Sequence, residues 1–144
     1  YDDQSGETYG GEFAITWEAS EKLDISGTYS YLQMQLHGPR EGEEQANPHN
    51  QATLMAQYKV SETFRLHANA YYADAVTPIN GGRPDPDAYI RLDLGARWKL
   101  RDNLELSVWG RNLLDPAHAE FDELSTFEAS EVPRSFYAGL TYTF

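Results

Sequence analysis

The sequence predicts an all-β protein, an antiparallel up-and-down meander of about seven strands. Three observations carry this. Apolar residues recur at every second position in seven separate segments, the period of a strand with one apolar face. The connections between those segments alternate short and long along the chain. The aromatic residues of the apolar face gather toward the segment ends, with aliphatic residues between them.

The first segment, Tyr9 to Ala19, puts Tyr9, Phe13, Ile15, Trp17 and Ala19 on one face and Glu12, Thr16 and Glu18 on the other. The preceding residues, YDDQSGET, supply no convincing further strand. Ser20-Glu21-Lys22 is a short polar turn. Leu23 to about Leu36 alternates again, with Leu23, Ile25, Gly27, Tyr29 and Tyr31 opposite Asp24, Ser26, Thr28 and Ser30. Residues 38–51 carry two prolines and the Glu41-Gly42-Glu43-Glu44 cluster, the signature of a loop. Ala52 to Val60 and Phe64 to about Val76 form a third and fourth segment around the tight turn Ser61-Glu62-Thr63. Three prolines and two glycines make residues 77–87 a second long loop.

The alternation is cleanest from Tyr89 to Leu100, where Ile90, Leu92, Leu94, Ala96, Trp98 and Leu100 face away from Arg91, Asp93, Gly95, Arg97 and Lys99. After Arg101-Asp102-Asn103, Leu104, Leu106, Val108 and Gly110 alternate with Glu105, Ser107, Trp109 and Arg111. An acidic stretch, 114–133, reads as a third long loop. The last segment, 134–144, places Phe136, Ala138, Leu140, Tyr142 and Phe144 on one face and Ser135, Tyr137, Gly139, Thr141 and Thr143 on the other.

Sorting the connections by parity puts the short turns at one end of the sheet and the long loops at the other. A sandwich has no reason to do this, whereas outer-membrane β-barrels have short periplasmic turns and long external loops. No run of about 18 apolar residues exists, so no transmembrane helix is expected, but barrel strands need only about 9–11 residues each. The aromatics agree. Trp17, Tyr58, Phe64, Trp98, Tyr142 and Phe144 lie on the apolar face near the short turns or the chain end, as a membrane-facing belt. Tyr9, Tyr29, Tyr31, Tyr72 and Phe136 lie on the same face nearer the long loops. Bacterial single-chain barrels have even strand numbers starting at eight. Seven strands are therefore expected to be the carboxy-terminal part of a larger barrel, with residues 1–144 all belonging to its wall.

The 144 residues carry 23 acidic and 11 basic side chains, a net charge of -12, which argues against nucleic acid as a partner. There is no cysteine and hence no disulfide or thiolate site. His37, His49, His67 and His118 do not pair at metal-ligand spacing. His118 and Glu120 near Asp115 and Asp122 are better read as an acidic solvated loop than as a cation site. No nucleophile constellation stands out, so no enzymatic activity, cofactor or metal is expected. Mixed charges on the polar face (Glu12, Glu18, Lys59, Arg65, Arg91, Arg97, Lys99, Glu105 and Arg111) are expected to pair across strands or to meet a partner inside the barrel. Ligand contacts are expected mainly from the three long loops, with Tyr71, Trp109 and Tyr137 as candidate ligand-binding residues on the loop-side half of the polar face.

Specific residues carry a family resemblance. Arg111-Asn112-Leu113-Leu114-Asp115 ends a strand, and a loop leads to Val132-Pro133-Arg134-Ser135-Phe136-Tyr137 and a terminal Phe144. This resembles the end of TonB-dependent outer-membrane receptors, which often show an Asn-Leu-Phe/Leu-Asp segment and then Ile/Val-Pro-Arg-Ser/Thr. Asn47-Pro48-His49-Asn50-Gln51-Ala52 is similar to the family's Pro-x-His/Asn segment. The resemblance implies a 22-stranded barrel around an amino-terminal plug, in the outer membrane of a Gram-negative bacterium. It implies uptake of a siderophore, cobalamin or similar scarce nutrient. The implied partners are outer-membrane lipid and the remaining strands and plug of the same receptor, with TonB reached only through parts outside this chain. Two other classes compete: a small outer-membrane barrel with a structural or adhesive role, and a soluble β domain that binds a partner through its apolar face.

Overall fold

The computed structural model describes residues 5–38, 44, 47–77, 87–121 and 130–144, with the backbone alone for 117–121 and 130–131. Seven strands form one antiparallel sheet: β1 (Ser5–Ser20), β2 (Leu23–His37), β3 (Asn50–Lys59), β4 (Phe64–Ala73), β5 (Tyr89–Arg101), β6 (Leu104–Arg111) and β9 (Ser135–Tyr142). Their spatial order, β1-β2-β3-β4-β5-β6-β9, is the chain order. Between β6 and β9, the short strands β7 (Ala117–Phe121) and β8 (Ser130–Pro133) pair as a separate two-stranded sheet. That hairpin falls where the sequence predicts only a loop. Its strands are only five and four residues long, too short for the alternation of Ala117, Ala119 and Phe121 with His118 and Glu120 to mark a strand in the sequence.

Register keeps the two faces apart across the whole sheet. On the apolar face, Trp17 pairs with Ile25, Ile25 with Ala56, Ala56 with Ala68, Ala68 with Leu94, Leu94 with Gly110 and Gly110 with Phe136. On the polar face, Glu18 pairs with Asp24, Asp24 with Gln57, Gln57 with His67, His67 with Gly95, Gly95 with Trp109 and Trp109 with Tyr137. A slip of one residue in any strand would exchange these sets, so the pattern itself specifies the register.

Two long strands depart from the expected alternation. β1 starts at Ser5, ahead of Tyr9, and pairs with β2 as far as His37, whereas β3 pairs with β2 only from Leu23 to Tyr31. Beyond Tyr31 the polarity of β2 inverts. Gln33, Gln35 and His37 continue the face of Tyr29, while Leu32, Met34 and Leu36 continue the face of Ser30. The apolar face on β2 thus spans Leu23 to Tyr31, about the 9–11 residues a tilted strand needs to cross a bilayer.

Among the described residues no hydrophobic side chain is buried. A single sheet has no second layer to cover it, so its faces stay open. Phe13, Trp17, Phe136 and Leu140 are 61%, 57%, 72% and 66% exposed, which makes the apolar face a continuous uncovered surface. β1 and β9 are the two edges and do not pair with each other. The short turns hold themselves together locally. Ser61 Oγ accepts from the Phe64 amide at 3.1 Å, and Lys59 pairs with Glu62 at 2.7 Å. Lys99 likewise pairs with Asp102 at 3.0 Å. These two lysines turn into their own turns instead of pairing across strands, because a carboxylate three residues on is nearer in sequence and wholly solvated.

Candidate functional site

The polar face carries two constellations, and both depend on the register of β5. The first is a row of rings. Gly95 has no side chain, so its neighbours in β4 and β6 meet above it: His67 and Trp109 lie 5.5 Å apart, centroid to centroid. Trp109 then stacks on Tyr137 of β9 at 6.4 Å with an interplanar angle of 10°. The Arg111 guanidinium lies over the Tyr137 ring at 5.0 Å from its centroid, a cation–π contact. A Cβ at Gly95 would sit 2.5 Å from the Trp109 ring atoms, so glycine here is a requirement of close approach. Gly95→Val is expected to push Trp109 off its stack and cost about 1–3 kcal/mol by overpacking. Loss of the near-ultraviolet circular dichroism of the stacked rings checks it; an unchanged spectrum and unfolding midpoint would refute it.

The second constellation is a buried polar knot at the loop end of β5 and β6. Asp93 is 3% exposed and Asn112 is 0% exposed. Arg91 Nε and Nη2 donate to Asp93 Oδ1 and Oδ2 at 3.2 and 3.0 Å. The Asn112 amide N–H donates to the same Oδ1 at 3.0 Å. Three donors on one carboxylate satisfy a buried charge that would otherwise be costly. Asn112 has a φ of 51°, the left-handed conformation that asparagine tolerates better than most residues. This kink breaks β6 away from β9 and returns the chain to β5, where the Leu113 N–H donates to the Leu92 carbonyl at 2.9 Å. Asn112 Nδ2 donates to the Val132 carbonyl at 2.8 Å, and Arg134 Nε donates to the Asn112 carbonyl at 3.4 Å. The Arg91 guanidinium also lies 4.5 Å over the Tyr71 ring.

The three candidate aromatics are therefore not one cluster. Trp109 and Tyr137 stack together. Tyr71 pairs in register with Arg91, four residues along β4 from His67 and so about 13 Å away at ordinary strand rise. Asp93, Gly95, His67 and Asn112 organise the face but do not stand out as single letters. Only the Asn-Leu-Leu-Asp motif flags one of them. The expected cross-strand charge pairing is local at Arg91 too, which takes Asp93 of its own strand.

At the loop end of β2, β3 and β4 a third network closes the sheet. Tyr29 donates to Asn50 Oδ1 at 2.5 Å, Asn50 Nδ2 to Asp74 Oδ2 at 2.6 Å, and Tyr72 to Asp74 Oδ1 at 2.5 Å. Asp74 also borders a cleft of about 350 Å³ with Asn47, His49, Ala75, Thr77 and Ala88. The Tyr72 hydroxyl first, then the Asn50 side chain, hold the Asp74 carboxyl below its ordinary value of 3.8. A depressed folded-state pKa gives stability that is present above the unfolded pKa and lost as pH falls through the folded one. The network is therefore expected to be closed at neutral pH and to loosen only as the pH falls below the ordinary value of 3.8. A carboxyl titration by infrared or NMR showing Asp74 protonating at or above its ordinary value of 3.8 would refute this.

Among the described residues no three His, Asp or Glu side chains come together to hold a metal ion. The side chains of His118 and Glu120, and all of Asp122, lie outside the described residues, as do most of the three long loops expected to touch a ligand.

A one-layer antiparallel meander with one apolar and one polar face, loops sorted by end and both edges open defines a class: the wall of a large β-barrel. The chain belongs to the TonB dependent receptor-like β-barrel family, whose model matches residues 2–113. That is a family of receptors of the Gram-negative outer membrane and not of enzymes. A probable TonB-dependent siderophore receptor of Acinetobacter baumannii, PiuA, is 28% identical over 121 residues, covering 74% of this chain and 16% of the relative. The crystal structure of PiuA superimposes with a TM-score of 0.75 at 24% identity, over 94% of this chain and 22% of that one. The pyoverdine outer membrane receptor FpvA from Pseudomonas aeruginosa, bound to pyoverdine, gives a TM-score of 0.78 at 21% identity, over 96% of this chain and 22% of that one. At these identities the structures speak to the fold. The chain spans roughly a fifth of the length of each solved receptor and 16% of the curated relative.

Proposed function

We propose that this chain is the carboxy-terminal wall of a TonB-dependent outer-membrane receptor that imports an iron–siderophore complex. The plug and the earlier strands belong to the rest of that receptor, and TonB acts through those parts. The observation that carries the reading is the uncovered apolar face of a sheet with no buried hydrophobic side chain. Such a face needs lipid on one side, and the polar face needs a wet lumen or a plug on the other. The belt of Trp17, Tyr58, Phe64, Trp98, Tyr142 and Phe144 would then sit at the periplasmic interface. Phe64 and Trp98 meet edge to face at 6.4 Å, and Tyr142 and Phe144 at 5.6 Å, so the rings are packed against one another and still open to the surroundings. Siderophore is favoured over cobalamin, haem or sugar because PiuA, named as a siderophore receptor, is similar over most of this chain. Of the candidate ligand contacts, Trp109 and Tyr137 present a stacked pair on the lumen wall and are proposed to act together, with Tyr71 apart from them.

Deleting the gene that encodes this chain and measuring uptake of ferric pyoverdine and other iron-loaded siderophores in iron-limited cells tests the reading. Loss of uptake of one siderophore, restored by the full-length gene, is the expected result. A start codon and signal peptide immediately upstream of Tyr1, in place of a plug and further strands, would overturn it in favour of a small barrel.

A further inference from the structure

We propose that Arg65 and Arg97 form an anion clamp on the lumen wall, and that its occupant is a carboxylate side chain of the plug near the periplasmic end of the barrel. The inference rests on the receptor reading above, and names the chemistry by which the plug meets this part of the wall. Arg65 of β4 and Arg97 of β5 are directly opposite each other in register, on the polar face that also carries His67 and Trp109. Cβ atoms so paired lie about 4.5–5.5 Å apart, and like charges at that spacing destabilise a sheet. Lys59 stands on the other side of Arg65, so three cations follow one another across β3, β4 and β5. Lys59 is already held by Glu62 of its own turn at 2.7 Å, and Lys99 by Asp102 at 3.0 Å. Among the described residues neither Arg65 nor Arg97 has an ion pair or a hydrogen-bonded partner.

Local sequence explains why the wall leaves them so. Arg91, earlier in β5, takes the carboxylate of Asp93 two residues along its own strand. At the same offsets Arg97 has Gly95 and Lys99, and Arg65 has Thr63 and His67. Glu105 of β6 shares the face, in register with Lys99, and pairs with neither arginine. The chain carries 23 acidic residues and sets none of them against this pair, which points to a counter-charge from outside the chain. Depth selects its source. Arg65 and Arg97 occupy the row next to Phe64 and Trp98, which belong to the belt beside the short turns. A solute entering past the long loops reaches this level last, whereas a plug filling the lumen rests against it throughout. Both arginine side chains are exposed on the polar face and open to such a partner. Two guanidiniums side by side present rigid N–H forks, and a carboxylate accepts from both while cancelling their repulsion. In a lumen narrowed by the plug, with less water to screen the charges, that contact gains strength.

The test uses the full-length receptor in detergent. Arg65→Lys and Arg97→Lys, made singly, keep the charge and offer an amine that a carbodiimide joins to a carboxylate touching it. Mass spectrometry of the joined peptides is expected to show a link from position 65 or 97 to an aspartate or glutamate of the plug. Links confined to Glu62 or Glu105 of the wall, or no link at all, would overturn the proposal. Arg65→Glu supplies a second readout. Against a plug carboxylate it replaces attraction with repulsion, so hydrogen exchange in the linked plug segment is expected to speed up at least about tenfold. Two merely solvated arginines give the opposite outcome: Arg65→Glu then makes a cross-strand ion pair with Arg97, β4 and β5 exchange more slowly, and the plug is unchanged. That result would defeat the clamp. Arg65→Gln, which removes the charge without reversing it, replaces Arg65→Glu if the latter fails to insert, with at least about threefold faster exchange expected in the same segment. Protection of β4 and β5 that appears only on adding inorganic phosphate or ferric pyoverdine, without a link to the plug, would assign the pair to a diffusing anion and also sink the proposal. A gene with no plug upstream defeats the receptor reading itself, whereas a plug that is present, folded and unlinked defeats only the clamp.

Discussion

Replacing Asp93 with alanine is expected to destabilise the protein by about 3 kcal/mol, more than any other single change on the polar face. The figure comes from removing one partner of a buried, hydrogen-bonded ion pair, which costs about 3–5 kcal/mol. The lower end applies because the Arg91 side chain is 25% exposed and keeps contact with Tyr71, whereas the Asp93 side chain is 4% exposed. The loss is also not confined to the charge pair. Asp93 Oδ1 receives both Arg91 Nε and the Asn112 amide, so alanine strands a backbone donor at a residue that is completely buried. Asp93→Asn separates the contributions. Its amide oxygen can still accept from Asn112, but its NH2 group faces the guanidinium, so it is expected to lose about half as much. Denaturant unfolding of the receptor in detergent measures both. A loss below 1 kcal/mol for Asp93→Ala would mean that Arg91 and Asn112 find other partners at once and that the knot is not a unit.

That knot shows where reading a sequence stops. The strands were legible because period-two alternation is local: Ile90 through Leu100 announces β5 without reference to anything else. The sorting of loops by end was legible for the same reason, since turns such as Ser61-Glu62-Thr63 and Arg101-Asp102-Asn103 mark themselves. The family motif at Asn112 was legible as letters. Its role was not, because its partners Asp93 and Val132 are 19 and 20 residues away and the pairings depend on register. In the sequence Asp93 and Gly95 are simply two members of the polar face of the Tyr89–Leu100 segment. In fact one anchors the loop corner, and the other makes room for a stacked tryptophan. The β7–β8 hairpin was hidden because its strands are only five and four residues long and are set in an acidic, proline-containing stretch. The upper part of β2 misled in the opposite way. Leu32, Met34 and Leu36 prolong an alternation whose phase has already shifted, and only the pairing with β1 reveals the face they occupy.

The apolar face supplies the second large effect. Leu94→Arg is expected to cost about 2–4 kcal/mol and to lower the amount of receptor assembled in the outer membrane. Leu94 is 44% exposed on the apolar face and lies midway along β5 between Trp98 and Ile90, with Ala68 and Gly110 beside it in register. Four residues of strand on either side place it about 13 Å from each of those positions, near the centre of a bilayer on the receptor reading. Small neighbours give a guanidinium nothing to pair with. The same substitution at Gln57, on the polar face opposite Asp24, is expected to change stability by less than about 0.5 kcal/mol. A third site separates lipid from a protein cover. Val60, 43% exposed just beyond the end of β3 beside a short turn, would lie at the interface, where arginine costs only about 0–1 kcal/mol. A bilayer therefore predicts a steep gradient from Leu94 to Val60, since the cost follows depth. A protein partner packed on the same face has no such depth axis and would penalise arginine according to local fit at each site. Equal losses at Leu94 and Val60, with a normal response at Gln57, would move the apolar face from lipid to a protein partner and take the receptor reading with it.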